Sequence, residues 1–230
     1  MKYVVANWKM NLDAELVSSW VMEWERNQNQ GDQPYGDTIP ILAPSFVHIP
    51  FLFLELPRLN GVFLSSQDIS HYEKGAHTGE IGAFQVKDLC RYCIIGHSER
   101  NESFDTVITK RDLALKEGII PIVCFVSEKD APKYYARGTI LAWEDPLNIS
   151  GDFGYNAKPL DEIRVTAEKI KSVLPKDALL LYGGSVNREN IGRRGDSSGI
   201  SGISFLDGVL VGGASLDPHH FGELVKAYSE

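Results

Sequence analysis

The stretch Ile94-Ile95-Gly96-His97-Ser98-Glu99-Arg100 sets an imidazole, a hydroxyl, a carboxylate and a guanidinium directly after an apolar run that ends in glycine. A strand covered on both faces reads as continuous apolar sequence, so its polar residues gather where it emerges. The plain alternative is a strand entering a capped helix, with Ser98 as cap and Glu99 as first-turn acid. Comparable groups follow other apolar runs. Asn7 and Lys9 come after the first and share a face if the segment is extended. Cys124 ends the fifth, Glu144 follows the sixth, and the seventh and eighth end in Tyr182-Gly183-Gly184-Ser185 and Val211-Gly212-Gly213-Ala214-Ser215.

Glycine pairs that open helices present backbone N–H groups to an anion without side-chain obstruction. A carboxylate on a loop can act as a base on carbon, a neutral imidazole can polarise a carbonyl, and a lysine can hold a developing enediolate charge. Together these describe proton transfer next to a carbonyl in a small phosphorylated sugar. Each part also has a bland reading: Lys9 as a solvated strand-end charge, Glu144 as a surface carboxylate, the glycine pairs as tight turns. The pairing of complementary roles at successive strand ends argues against chance.

Such convergence requires elements that carry all these tips to one rim. Eight short apolar runs alternate with longer helical patterns: Tyr3 to Ala6, Ile39 to Ala43, Val62 to Ser65, Cys93 to Gly96, Ile119 to Cys124, Thr139 to Ala142, Ala178 to Tyr182 and Gly208 to Val211. Leu16, Val17, Trp20, Val21 and Trp24 recur at helical spacing, as do Ile163, Ala167, Ile170 and Leu174. Strand and helix in alternation predict a parallel sheet with right-handed crossovers. Eight such units in 230 residues fit an α/β fold of the closed (β/α)8 type, residues 1–230 forming a single catalytic domain. An open doubly wound sheet would need a glycine-rich loop after an early strand, and the first strand here runs into Asn7-Trp8-Lys9 instead. Only Phe125 to Gly138 separate the fifth run from the sixth, so the fifth helical segment is shortened. The last helix is expected from Pro218, a residue tolerated in a first turn.

Composition narrows the partners. A formal charge of -8 without a basic stripe excludes nucleic acid and anionic membrane, and no apolar run approaches the ~20 residues that span a bilayer. Three cysteines cannot make a disulfide framework, and the Cys90-Arg91-Tyr92-Cys93 spacing lacks further zinc ligands. A cytoplasmic protein follows.

Asn7-Trp8-Lys9-Met10-Asn11, Gly96-His97-Ser98-Glu99-Arg100, Tyr182-Gly183-Gly184-Ser185-Val186 and Asp207 to Leu216 resemble, in order, the signature segments of the triosephosphate isomerases. The resemblance spans nearly the whole chain and implies a TIM barrel with neither metal nor organic cofactor. It further implies that Glu144 moves a proton between C1 and C2 of a triose phosphate, interconverting D-glyceraldehyde 3-phosphate and dihydroxyacetone phosphate in glycolysis and gluconeogenesis. His97 is then the neutral electrophile, kept so by the helix N-terminus it precedes, and Lys9 pairs with phosphate and enediolate. Asn7 contacts substrate and positions Lys9; Glu99, Cys124 and Tyr182 support. Ser185, Gly212 and Gly213 hold the phosphate. Gly75 to Ile81 is similar to the family's dimer loop. With no evident partner for His77 and Thr78 inside their own barrel, a homo-oligomer is expected, a dimer first and a tetramer if the wall beside the trimmed fifth helix is used.

Departures gather after the sixth strand, where the chain reads Glu144-Asp145-Pro146-Leu147-Asn148-Ile149-Ser150-Gly151. The family's proline is displaced by one, and an extra carboxylate stands beside the base. Ser150 replaces a glycine whose amide reaches the phosphate. A like charge beside Glu144 tends to raise its pKa and repels a phosphate, although neighbouring side chains on a barrel rim diverge. The segment from Asn187 to Phe205, rich in glycine and serine, is expected to be a flexible loop and helix. Two alternatives remain at this stage. One is another barrel enzyme acting on a phosphorylated sugar, such as an aldolase or a biosynthetic isomerase, disfavoured by the Lys9, His97 and Glu144 set, since an aldolase would want a Schiff-base lysine inside the barrel. The other is a catalytically weakened or silent phosphate-binding barrel with an interaction role.

Overall fold

The computed structural model describes residues 1–27, 35–145 and 157–229. Eight parallel strands close into a ring in sequence order: β1 (Lys2–Asn7), β2 (Thr38–Ala43), β3 (Phe63–Ser66), β4 (Tyr92–Ile95), β5 (Ile120–Phe125), β6 (Ile140–Trp143), β7 (Leu179–Tyr182) and β8 (Gly208–Val211). Each falls on one of the apolar runs. The last strand pairs with the first through Tyr3 opposite Gly208 and Ala6 opposite Val211.

Alternation along the strands sorts side chains into two cores. Tyr3, Val5, Tyr92, Ile94, Ile122, Cys124, Ile140, Ala142, Leu181 and Leu210 fill the barrel interior. Val4, Ala6, Cys93, Ile95, Val123, Leu141, Trp143, Leu180, Tyr182, Val209 and Val211 face outward to the helices. The helices are α1 (Ala14–Asn27), α2 (Ile49–Glu55), α3 (Ala83–Val86), α4 (Phe104–Lys116), α5 (Ala131–Tyr134), α6 (Leu160–Val173) and α7 (Pro218–Ser229). α1 buries Val17, Trp20, Val21 and Trp24, whereas Leu16, expected on that face, is 52% exposed because it falls at the edge of the stripe. Trp20 stacks on Trp24 at 5.1 Å, and Trp24 meets Phe221 of α7 at 5.4 Å, tying the first helix to the last across the closing seam.

The fifth unit is short, as expected: α5 has four residues. The seventh differs. Among the described residues no α-helix lies between β7 and β8, only a 3-10 turn at Ile200–Gly202. This segment is not loose, since Ile200 N–H donates to the Asn190 carbonyl at 3.0 Å and Ser201 N–H to Ile191 at 2.8 Å. Gly192 and Gly199 bring two backbone runs into direct contact, where a β-carbon on Gly192 would lie 2.5 Å from the α-carbon of Gly199. That approach replaces helix packing as the means of covering the sheet there.

Candidate active site

The inward parity of each strand runs on past its end and sets the site. Tyr3 and Val5 point into the barrel, and so do Asn7 and Lys9 beyond them; Ile140 and Ala142 lead to Glu144; Leu210 leads to Gly212. Asn7, Lys9, His97, Glu144, Gly183, Gly184, Leu210 and Gly212 line one small depression at this rim. Strand β4 would leave His97 on the wrong parity. Gly96 corrects this with φ +71, a left-handed conformation, and a β-carbon there would lie 2.9 Å from Val107 and 3.3 Å from the Cys124 carbonyl. Only glycine satisfies both the angle and the space.

Glu144 is buried, 1% exposed. Its Oε2 accepts the Ser98 N–H at 2.8 Å, and its Oε1 lies 3.1 Å from His97 Nε2 without making a hydrogen bond. The Glu99 N–H donates to His97 Nδ1 at 3.3 Å, so in the neutral ring the proton belongs on Nε2. The expected helix N-terminus behind His97 is absent. His97 caps a three-residue 3-10 turn, Ser98–Arg100, which Asn101 ends at φ 51 before α4 begins. One backbone N–H, not a helix dipole, therefore selects the tautomer. Below the carboxylate, burial and then the charge of Glu144 push the Cys124 thiol well above its usual range, keeping it a neutral floor to the site.

Lys9 sits at φ 52, an unusual conformation for a lysine, and several contacts hold it. Its N–H donates to Asn7 Oδ1 at 3.1 Å. Its carbonyl accepts from Gln67 Nε2 at 2.8 Å and from Ser45 Oγ at 3.1 Å. Its ammonium pairs with Glu99 at 2.5 Å. A β-carbon on Gly212 would come to 3.5 Å from Lys9 Cε, so that glycine leaves the lysine its path.

Gln67 and Ser45 were not singled out in the sequence, and Ser98 was read there only as a possible helix cap, not as a partner of Glu144. Gln67 was legible by the rule that found the rest, since it directly follows a strand tip. The turn carrying His97 and Glu99 is anchored from behind by a buried ion-pair group equally silent in the sequence. Lys110, 2% exposed, donates to both Asp68 oxygens at 2.7 Å and to Glu102 at 2.5 Å, and Arg100 reaches Asp68 at 2.9 Å.

Other expected residues are placed differently. Tyr182 points outward, its ring 5.3 Å from that of Trp143, and lines no part of the depression. Its hydroxyl instead lies tightly against Gly184. Gly183-Gly184 opens no helix, because a turn follows, and Gly212-Gly213 opens only the 3-10 turn Gly213–Ser215. Ser185 is buried beside the Gly183-Gly184 turn, and space for a side chain at Gly213 is open. Ser150 lies outside the described residues.

Sequence comparison adds a decisive finding: a family model described as triosephosphate isomerase matches residues 2–142 and 155–228. The chain belongs to the triosephosphate isomerase family. Proteins named triosephosphate isomerase from Alkalilimnicola ehrlichii and Halorhodospira halophila are each 30% identical to it, the first over 97% of both chains and the second over 100% of this chain and 98% of its own. One from Wolbachia pipientis is 31% identical over 97% of this chain and 92% of its own. The family match leaves out residues 143–154, which hold Glu144, Asp145 and the departures noted above.

Proposed function

We propose that Glu144, His97 and Lys9 carry out the reaction of this family, interconversion of D-glyceraldehyde 3-phosphate and dihydroxyacetone phosphate. The isomerase function rests on family membership. The residue roles rest on one observation: a buried carboxylate oxygen without a hydrogen bond, Glu144 Oε1, faces the Nε2 of an imidazole whose Nδ1 already accepts a backbone N–H. Ser98 occupies Oε2, so Oε1 is the proton acceptor. It removes the C1 proton of the ketose and returns it to C2, while His97 Nε2–H and the Lys9 ammonium stabilise the charge that develops on the substrate oxygens. Asn7 positions Lys9, and the backbone at Gly212 and Gly213 with Ser185 holds the phosphate. Glu99 partners Lys9 from the outer side. A silent phosphate-binding barrel is disfavoured, since such a protein has no use for this carboxylate and imidazole pair.

The proposed assembly is a dimer through the loops after β1, β2 and β3, all 230 residues acting as one catalytic domain. Met10 is 95% and Val47 79% exposed there, and residues 71–80 are almost wholly exposed. His77 is organised within its own loop, stacked on Tyr72 at 3.6 Å, which stiffens the loop for insertion into a partner. Exposed Phe104 and Val126 beside the short α5 offer a face for a tetramer. Among the described residues no helix is long and apolar enough to cross a membrane, and we place the enzyme in the cytoplasm.

The test is a coupled assay on glyceraldehyde 3-phosphate. Turnover should fall by about 10²–10⁴-fold in Glu144→Gln, while competitive inhibition by inorganic phosphate is kept. A variant with more than a tenth of parental turnover would remove Glu144 from its role.

A further inference from the structure

The family match omits the segment around Asp145, and the residue stands beside the proposed base, yet its side chain does not face the site. β6 alternates: Ile140, Ala142 and Glu144 point in, Leu141 and Trp143 out, and Asp145 follows Trp143. Its Oδ2 lies 2.8 Å from the Nζ of Lys158, a residue on the far side of the undescribed segment 146–156. Lys158 Nζ also lies 5.9 Å over the Trp143 ring and 3.7 Å from Glu162 in the first turn of α6. Both partners are mostly enclosed, with side chains 15% and 18% exposed. The location matters for substrate. The Trp143 ring beneath Lys158 lies 5.3 Å from that of Tyr182, whose hydroxyl packs against Gly184, so the pair stands behind the turn that leads to Ser185. A bare carboxylate there would repel a phosphate dianion held by that turn.

We propose that Lys158 and Asp145 form a charge-compensating pair behind the strand-6 tip, through which Lys158 sets the affinity for the phosphoryl group. The proposal rests on the assignment of the phosphate to the Ser185, Gly212 and Gly213 rim and of the base to Glu144. The pair is a positioning and screening device and touches no reacting atom. It explains how the chain carries an extra carboxylate next to its base without losing an anionic substrate: the carboxylate is turned to the outer face and neutralised there.

The experiment compares parent, Lys158→Met, Lys158→Arg and the double variant Asp145→Asn/Lys158→Met. Each is assayed for KM and kcat with glyceraldehyde 3-phosphate and for competitive inhibition by inorganic phosphate, at low salt and at high salt. In Lys158→Met, KM and the phosphate inhibition constant should rise together by about threefold to tenfold at low salt, with kcat within about twofold, and the rise should shrink at high salt. Lys158→Arg and the double variant should return both constants to within about twofold of the parent. Unchanged constants in Lys158→Met overturn the proposal, and so does a rise that persists in the double variant or that comes with an equal fall in kcat. Failure of the base assignment looks different, because Glu144→Gln would then keep its kcat whatever happens at Lys158.

Discussion

The tips of β4 and β6 meet at one pair of groups, His97 and Glu144, yet they are held in opposite ways. Behind the β4 tip lies a closed set of charges, Lys110 with Asp68, Glu102 and Arg100, buried under the turn that presents His97 and Glu99. Burial pushes the Asp68 carboxyl above its usual range, with the Lys110 hydrogen bonds offsetting only part of that. Behind the β6 tip, the pair from Asp145 to Lys158 lies at the outer surface of the sheet, with Glu162 near it. The first arrangement commits several charges to one rigid turn. The second corrects a single charge locally, and it sits where the chain departs from its family. The group that polarises is thus anchored by the deep interior, and the group that moves the proton is held by one backbone N–H and its surroundings.

The sharpest way to break this contrast is Lys110→Met. It strands Asp68 and Glu102 without their buried cation and should cost about 3–5 kcal/mol, lowering Tm by roughly 10 °C in thermal denaturation. Lys158→Met, at the shallower tip, should cost no more than about 1 kcal/mol in the same measurement. Equal losses would erase the distinction between the two tips. Gly96→Ala attacks the β4 tip through the backbone instead. It forces a side chain to φ +71 against Val107 and the Cys124 carbonyl, so a loss of about 1–3 kcal/mol is expected with at least a tenfold fall in kcat as His97 turns away. Stability lost without any change in kcat would separate the glycine from the aim of the imidazole. The smallest expected effect is that of Gln67→Ala, which removes the donor to the Lys9 and Ala43 carbonyls, each at 2.8 Å. Loss of about 1 kcal/mol of anchoring should raise KM about fivefold with Tm nearly unchanged.

Much of the fold was legible because a parallel strand buried on both faces has to be apolar throughout. All eight apolar runs became strands, the short stretch after Cys124 became the four-residue α5, and the last helix begins at Pro218 as expected. The segment from Asn187 to Phe205 was misread as a flexible loop and helix, because its order comes from contacts between distant glycines, which leave no periodicity. Tyr182 was gathered into the site by nearness in sequence, but strand parity turns it outward. The helix N-terminus expected to keep His97 neutral was likewise misplaced, since a capping polar residue reads alike before a 3-10 turn and before a helix.

The sequence by itself determined the order of the strands, the polar residue at each tip and the family of chemistry those tips can perform, because burial period and turn chemistry are local properties of a chain. Only the tertiary structure decided which of those residues meet. Strand closure brought Glu144 of the sixth tip to the backbone N–H of Ser98 at the fourth, and it set Gln67 of the third against Lys9 of the first. Parity sent Asp145 out to Lys158 while its neighbour turned in. These contacts join residues far apart in the chain and depend on the register of a closed barrel, a property that no short segment carries.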